Sequence, residues 1–348
     1  MNPAARENFL QQAEWCERLG SPFTAFACRV LHERLDESSS FGSRVLNWPG
    51  TAQADAVALR ACGALNFFAR SGFKALEPIY PPHPLPSADA FWNGAKAAID
   101  EIDGPLTRFL DSAPQTNEVA RSALLLPGYL DLAAITGRPL EIRELGASAG
   151  LNLSFDRYFY DYGAGKSWGS PDARVKIPCE WRGAAGPLSR TLEVAGRLGC
   201  DINPIDASDP AQRARMLAYI WPDQTERLAR AESALDIAAQ AKTRVEAIDA
   251  ARFAERELQA GAAGKTLVLA HTIFWQYIPR ETKDAIRAAI AGASDRATEL
   301  SPFAWLRLEA EADEDRGGVL RLSLWPQGPV DKKLALASYH GQWIEWAG

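Results

Sequence analysis

The sequence predicts a mixed α/β protein in which an all-helical N-terminal region precedes a mostly parallel sheet. Apolar residues recur at helical spacing through roughly the first 135 residues, and no β pattern is visible there. From Gly137 onward, short apolar segments alternate with helical patterns, which is typical of parallel strands joined by helices. We therefore expect a helical region over residues 1–136, acting as a lid or cap, and an α/β domain over residues 137–348.

The helical stripes of the N-terminal region lie at residues 9–19, 23–31, 57–68 and 91–109. Ser21-Pro22 separates the first two and is typical of a helix start. Residues 77–86 contain five prolines and form a predicted loop. We predict that this region covers the carboxyl edge of the sheet, where ligands of open α/β sheets bind.

The α/β domain has strand candidates at residues 140–145, 175–181, 243–248, 266–271, 303–309, 319–325 and 334–339. Helices are predicted at residues 211–239 and 282–291. Short turns separate the last strands, which is compatible with an antiparallel edge. Residues 158–196 are rich in Tyr, Trp, Gly and Pro, and we expect them to fold as an inserted hairpin lid.

The composition argues against several classes of function. A net charge of −6 without a run of Lys or Arg disfavours nucleic-acid binding. The five cysteines form no CxxC pair and have no His partner at metal spacing, which indicates reduced thiols, a cytoplasmic protein and no metal. Neither a signal peptide nor an uninterrupted apolar stretch of membrane-spanning length is visible. We expect a small-molecule partner, and the sequence does not define the oligomeric state.

A glycine-rich turn follows the first predicted strand and leads into a helix pattern. It reads ELGASAGLN over residues 144–152. Glycines let the backbone approach a charged cofactor closely, and a helix N-terminus presents unpaired N–H groups. Two chemistries fit the residues. One is the acidic-x-Gly-x-x-x-Gly turn of methyltransferases that use S-adenosylmethionine, and the other is the Gly-x-Ser-x-Gly elbow of α/β-hydrolases, with Ser148 as nucleophile. A turn that only packs strand on helix is the structural alternative.

The position of the turn favours the methyltransferase. A hydrolase elbow follows several strands and an oxyanion-hole loop, whereas nothing before residue 140 resembles a strand and no His-Gly-Gly element occurs. The best support for the hydrolase is His340, a histidine near the C-terminus that could serve in a catalytic triad. Two later acids strengthen the methyltransferase interpretation. Asp201 follows a second-strand pattern and would accept from the ribose hydroxyls, and Asp249 follows a third and would accept from the adenine amine. Ordinary turn or helix-cap roles are the alternative for both acids.

The chain resembles bacterial domain-of-unknown-function family 2332 over nearly its whole length. The most specific stretch is ELGASAGLNLSFDRYFYDY at residues 144–162, and DINP at 201–204, WPD at 221–223 and His340-Gly341 also carry the resemblance. It implies an α/β fold with a Rossmann-like, methyltransferase-type sheet. Three departures from ordinary methyltransferases stand out. Ser148 replaces a common Gly, about fifty residues separate the turn from Asp201, and no Asn-Pro-Pro-Tyr follows the fourth strand, which disfavours methylation of a nucleobase amine.

The cofactor site follows from this interpretation. Gly146, Ser148 and Gly150 would line the methionine portion of S-adenosylmethionine, and Glu144 would hold the turn and the ligand's amino group. Asn152, at the predicted helix start, fits a helix cap and a ligand contact equally.

The substrate site would lie beside it. His271 ends the fourth predicted strand and fits either a general base or a satisfied histidine at a strand end. Tyr277, at the expected mouth of the site, is the second catalytic candidate. The candidates for substrate contacts are Trp275, Asp156, Arg157, Tyr158 and Arg121, and Asn117 and Glu118 precede Arg121 in the same segment. Three hypotheses therefore compete: a small-molecule methyltransferase, a serine hydrolase using Ser148, and a non-catalytic ligand-binding protein of the same fold.

Overall fold

The computed structural model describes residues 3–347 and divides into two compact units. The first unit contains the residues up to Thr116 together with Asp209–Glu232. The second contains Asn117–Ser208 together with the residues from Ser233 onward. The predicted N-terminal helical region and the large, mostly parallel sheet are both confirmed.

The first unit is built on five helices from the N-terminal region. They are α1 (Pro3–Arg18), α2 (Pro22–Arg34), α3 (Ser40–Leu46), α4 (Val57–Arg70) and α5 (Ala88–Phe109). At the start of α2, the Ser21 hydroxyl accepts a hydrogen bond from the Thr24 N–H, and Pro22 occupies the first turn. The proline-rich segment holds only a 3₁₀ turn, Glu77–Ile79. The apolar stripes meet in one core that also includes Ala218 and Tyr219.

The remaining elements follow in chain order. They are α6 (Ser122–Thr136), β1 (Leu140–Leu145), β2 (Phe159–Asp161), β3 (Ser167–Trp168), β4 (Lys176–Pro178), β5 (Glu180–Gly183), β6 (Val194–Asp201), α7 (Pro210–Ala218), α8 (Thr225–Gln240), β7 (Val245–Ala247), α9 (Ala250–Ala260), β8 (Thr266–Thr272), α10 (Arg280–Arg296), β9 (Phe303–Ala310), β10 (Gly318–Trp325), β11 (Lys332–Ala337) and β12 (Trp343–Trp346).

The main sheet has nine strands in the order β5-β12-β11-β10-β9-β8-β1-β6-β7. The five strands from β7 to β9 are parallel neighbours, β9 to β12 form an antiparallel meander, and β5 pairs parallel with β12. In the register of β1, Leu145 lies opposite Cys200 on one side and His271 on the other. The carboxyl ends of three strands therefore meet at one edge.

Helix α6 packs on β9 and β10 and belongs to the second unit. Eleven of its fifteen residues are buried, because the helix is apolar on nearly every side. The stretch Val119–Thr136 is long and apolar enough to cross a membrane by length and composition, and 67% of it is buried inside the protein. The core helix of a soluble protein meets the same criterion.

Residues 158–196 fold differently from a simple hairpin. They form a three-stranded sheet in the order β3-β2-β4, and β5 joins the edge of the main sheet. Three fully buried tyrosines hold this insert: the hydroxyls of Tyr158, Tyr160 and Tyr162 donate to the carbonyls of Leu151, Phe155 and Ala123 over 2.7–2.8 Å. The predicted strand at 175–181 is two strands, β4 and β5, because its two ends pair with different sheets.

The predicted helix at 211–239 is also interrupted. It forms α7 and α8, separated by a turn that contains Trp221 and Pro222. Proline disfavours a helical conformation in the residue before it, which explains the break.

Candidate functional site

The turn after β1 requires glycine at two positions. Gly146, Ser148 and Gly150 have φ values of +66°, +53° and +70°. A Cβ atom at Gly146 would lie 2.4 Å from Cδ2 of Phe274, and one at Gly150 would lie 2.8 Å from Cγ2 of Thr243. Both the left-handed backbone and the close packing therefore exclude a side chain there.

Asp201, at the end of β6, fixes the conformation of this turn. Its Oδ2 accepts a hydrogen bond from the Ser148 N–H at 3.0 Å, and its Oδ1 accepts from the Asn203 N–H at 2.9 Å. The Ala147 N–H donates to the Cys200 carbonyl at 2.9 Å, which joins the turn to the neighbouring strand. Each carboxylate oxygen can accept a further hydrogen bond, so these contacts leave Asp201 capable of accepting ribose hydroxyls.

Glu144 is a buried acid with an incomplete set of partners. It is 4% exposed, and its Oε2 has no hydrogen-bond partner among residues 3–347. Burial and the charge of Asp201 raise the pKa of Glu144 to about 8, against the opposing effect of Arg121. The site thus contains a carboxyl group that is mostly protonated at neutral pH, and one of its oxygens has no hydrogen-bond partner among residues 3–347.

Ser148 does not have the contacts of a hydrolase nucleophile. Its side chain is buried, and within the described residues its Oγ has no hydrogen-bond partner. A serine nucleophile needs a histidine within hydrogen-bond reach to take its proton. Neither His340 nor His271 supplies that bond to Ser148.

Residues 117–121 lie against the glycine turn. The Asn117 side-chain oxygen accepts from the Leu151 N–H at 3.1 Å. With its amide nitrogen turned toward them, Asn152 donates to the carbonyls of Glu118 and Val119 at 3.3 Å. Arg121 donates from Nε to the Tyr339 carbonyl at 2.9 Å, and its charge acts on Glu144. After the turn, the chain forms a short 3₁₀ segment, Asn152–Arg157, in place of the predicted helix. Asn152 links the turn to residues 117–121, and Arg121 is a cation close to the buried acid.

His271 is placed differently from the expected general base. It is fully buried at the end of β8, where its Nδ1 lies 2.6 Å from Oε1 of Glu309. The Trp305 indole N–H donates to its Nε2 at 3.0 Å. With Trp305 as donor to Nε2, the proton of the neutral ring must be on Nδ1. Both ring nitrogens are occupied, so in this structure His271 has no free lone pair for a substrate, and it has the contacts of the alternative, a satisfied histidine at a strand end.

Glu309 organises the loop that follows β8. Its carboxylate also accepts from the N–H groups of Phe274 and Trp275 at 3.1–3.2 Å. The same loop holds Ile273 at a φ of +47°, which is rare for a β-branched residue and marks local strain. Sequence reasoning missed Glu309. An acid at the end of an otherwise apolar strand was the available signal.

The aromatic residues of this loop differ in exposure. Trp275 is half-buried, stacks on His271 with 5.2 Å between ring centroids, and has the Arg287 guanidinium 5.4 Å from its ring centroid. Tyr277 is 73% exposed. Of the two, Trp275 is held in place by its neighbours, whereas Tyr277 presents its ring to solvent.

Three of the four other predicted residues, Asp156, Tyr158 and Asp249, have side-chain contacts within the protein. Asp156 forms a two-point ion pair with Arg197 at 2.6 and 2.7 Å. Tyr158 is buried, as described above, while Arg157 is exposed. Asp249 caps α9, with its Oδ1 accepting from the N–H groups of Ala251 and Arg252. Asp156 and Tyr158 thus have evident structural roles, and the helix-cap alternative for Asp249 is realised. Over residues 3–347, no cluster of three metal-ligand side chains is present.

These features define a mixed α/β protein with a constrained glycine turn at the carboxyl edge of parallel strands. The chain belongs to a bacterial family described as "uncharacterized protein conserved in bacteria (DUF2332)", whose family model matches residues 6–346. No curated protein and no solved structure matches the chain.

Proposed function

We propose that this protein binds S-adenosylmethionine at the glycine turn after β1 and acts as a small-molecule methyltransferase, or as a methyltransferase-like protein. The observation that carries the proposal is the order of the parallel strands, β7-β6-β1-β8-β9. Numbered along the chain, these five strands read 3-2-1-4-5, the order of Rossmann-like sheets. The order reverses between β1 and β8, and ligands of such sheets bind at that point.

The charges around the turn suit this ligand. S-adenosylmethionine has a sulfonium, an ammonium, two ribose hydroxyls and an adenine amine, all of which favour hydrogen-bond acceptors or negative charge. Glu144 offers an unpaired buried oxygen, and Asp201 lies beside it. An ammonium group next to Glu144 would favour its ionised form and provide the missing partner. Arg121 is the cation for the ligand's carboxylate.

The chemistry would depend on positioning. The sulfonium already carries an activated methyl group, so the protein needs to align the acceptor and exclude water. Because His271 has both nitrogens occupied, we assign it to holding the loop after β8. Phe274 contacts Gly146, and Trp275 and Tyr277 follow it, so this loop would form the wall facing the acceptor.

The test is binding of S-adenosylhomocysteine by calorimetry and by thermal shift. A ligand at about 100 times its Kd stabilises the native state by about 2.7 kcal/mol. We expect a clear shift for the wild type and a much smaller one for Asp201→Asn, which loses the charged acceptor. Asp172→Asn, an exposed loop residue of the second unit, is the matched control. Absence of both heat and shift in the wild type would overturn the proposal.

Asp249 needs two substitutions, because it already caps α9. Asp249→Asn keeps a good cap, whereas Asp249→Ala removes it at a cost of about 1 kcal/mol in stability. If Asp249 also accepts the adenine amine, the alanine variant should weaken ligand binding by about 1.5–3 kcal/mol while remaining folded. Equal ligand affinity in the folded alanine variant and the wild type would remove Asp249 from the site.

A second measurement distinguishes ligand binding from catalysis. Turnover of S-adenosylmethionine with a panel of small hydroxyl, amine and carboxyl acceptors supports the methyltransferase. Ligand binding with no turnover across that panel supports the non-catalytic alternative.

A further inference from the structure

Three cysteine side chains meet in the core of the first unit. Cys16 lies on α1, Cys28 on α2 and Cys62 on α4. The Sγ atoms of Cys28 and Cys62 are 3.5 Å apart, and the Cys28 thiol also hydrogen-bonds to Cys16. A disulfide needs a sulfur separation of about 2.0 Å, so the Cys28–Cys62 pair requires only a small approach of two packed helices.

Cys62 is the member of this group that small molecules can reach. It is 8% exposed, whereas Cys16 and Cys28 are 0% exposed. It lines a small cavity together with Asn66, Tyr80, Tyr219 and Trp221. The free space is about what one water-sized molecule needs. Any reagent that reaches Cys62 from this cavity must therefore be very small.

Asn66 gives this cavity an unpaired acceptor. Its side chain is 3% exposed, and its Nδ2 donates to the carbonyls of Ala218 and Ile220 at 2.8 and 3.1 Å. Its Oδ1 has no hydrogen-bond partner among residues 3–347. Asn66 lies one helical turn after Cys62 on α4, so the acceptor and the thiol line the same space. A small molecule with an O–H group therefore fits beside both the Asn66 acceptor and the Cys62 thiol.

We propose that Cys62 and Cys28 form a peroxide-reactive dithiol, in which hydrogen peroxide enters the cavity, oxidises Cys62 and leads to a Cys28–Cys62 disulfide. In the first step, the Cys62 sulfur attacks one peroxide oxygen and the O–O bond breaks. The departing hydroxide takes up the Cys62 thiol proton and leaves as water, so Cys62 becomes a sulfenic acid. In the second step, the Cys28 sulfur attacks the Cys62 sulfur and the S–O bond breaks. The hydroxyl group leaves as water with the Cys28 thiol proton. Two thiols lose two electrons, and one peroxide becomes two waters.

The environment of Cys28 explains why it reacts second. Hydrogen bonds to Cys16 and Cys62, with burial, hold the pKa of the Cys28 thiol well above its usual range. Cys28 therefore stays a protonated, weakly nucleophilic thiol until a neighbouring sulfur becomes electrophilic. Cys16 contacts Cys28 from α1 but does not line the cavity, so it should not be oxidised first.

The experiment maps disulfides in the reduced, full-length wild type after brief exposure to dilute hydrogen peroxide. Remaining thiols are alkylated, and the digested chain is analysed by mass spectrometry. We expect a cross-linked peptide pair joining Cys28 and Cys62 with the loss of two hydrogen atoms. This species should form faster in the folded protein than in the same chain unfolded in urea.

Single substitutions then separate the roles. Cys62→Ser should abolish the cross-link. Cys28→Ser should leave a Cys62 sulfenic acid, which dimedone traps once the oxidised chain has been unfolded in urea. Cys16→Ser should retain the Cys28–Cys62 cross-link and serves as the matched control. A Cys16–Cys28 link in the wild type, links that involve Cys179 or Cys200, or no cross-link at all would overturn the proposal. Because wild-type mapping alone gives these outcomes, the test does not depend on whether each variant folds.

Discussion

Glu144 is a residue at which folding and ligand binding have different requirements. Within residues 3–347, its buried Oε2 has no hydrogen-bond partner, and such an atom destabilises the folded protein because it loses its hydration and gains no hydrogen bond in return. A ligand with an ammonium group would reverse that effect at the same atom. A native protein satisfies most of its buried polar groups, so an exception at this position calls for an explanation, and a site prepared for a ligand supplies one.

The pH dependence of stability tests the state of Glu144. Its folded-state pKa is raised from 4.5 to about 8, so between these values the native state holds a proton that the unfolded state has lost. Wild-type stability should therefore fall as pH rises through this window. Glu144→Gln cannot ionise. We expect its free energy of unfolding, relative to wild type, to rise by at most about 1.4 kcal/mol per pH unit between roughly pH 5 and pH 8.

Urea unfolding at several pH values measures this difference, and Glu141→Gln on the same strand is the control. Although burial opposes it, hydrogen bonds from Lys265 and Arg143 lower the pKa of Glu141. The titration of Glu141 thus affects stability below its ordinary pKa of 4.5, and its variant should differ from wild type by a constant amount above roughly pH 5. A flat difference for Glu144→Gln as well would mean that Glu144 is ionised in the native state.

Ser148 distinguishes the two enzyme hypotheses. Its Oγ makes no hydrogen bond in the described part of the chain, whereas its N–H donates to Asp201. Ser148→Ala removes only the hydroxyl, so we expect a folded protein that still binds S-adenosylhomocysteine. The wild type should not react with a fluorophosphonate probe. Stoichiometric labelling that disappears in Ser148→Ala would instead make the serine hydrolase the leading hypothesis.

At the scale of elements, the loop after β8 depends on one carboxylate from β9. Glu309 accepts from His271 and from two backbone N–H groups, and it holds a segment with a strained Ile273. Glu309→Gln replaces one acceptor oxygen with a donor that faces other donors. We expect a loss of about 1.5–3 kcal/mol in the free energy of unfolding.

Urea denaturation measures this loss, and Glu311→Gln is the matched control. Glu311 pairs with Arg321 through two hydrogen bonds, and because this pair is partly exposed to solvent it should contribute less than the buried contacts of Glu309. If the two variants lost the same amount of stability, Glu309 would not be the anchor of the loop.

The sequence predicts those parts of the site that are local in the chain. The strand β1, the glycine turn and the strand β8 are visible because apolar runs and glycines lie next to one another. The pairing of Glu309 with His271 joins residues 38 positions apart, and no local pattern indicates it. For the same reason β12 was missed, since this short strand is defined by its pairing with β11 and β5.

At the scale of the whole molecule, the first unit is discontinuous in sequence. Asp223 accepts from the Ser21 hydroxyl at 2.5 Å and from the Phe23 N–H at 2.8 Å, across about 200 residues of chain. Helical periodicity located α1, α2, α4 and α5 but not the short α3, and it could not show that residues 209–232 complete their core. Only the tertiary contacts of residues 209–232 with the N-terminal helices show that these residues belong to the same core.

Asp223→Asn tests this connection. The amide cannot accept from both donors as the carboxylate does, so we expect a stability loss of about 1–3 kcal/mol in thermal or urea unfolding. Asp100→Asn, an exposed residue of α5 that pairs with Lys96, should change stability by less than about 1 kcal/mol. Equal losses in the two variants would show that the Asp223 contacts contribute little.

The discontinuity also sets an order of events during synthesis. When the ribosome has released α1 to α5, the helical core still lacks the segment that brings Tyr219 against Phe109 and the carbonyls of Ala218 and Ile220 against Asn66. That segment follows β1 to β6, so the growing chain contains most of one unit and six strands of the other before either is complete. Domains usually fold as contiguous pieces from the N-terminus. Here the core of helices α1 to α5 cannot be completed until residues 209–232, about a hundred positions further along the chain, have been translated.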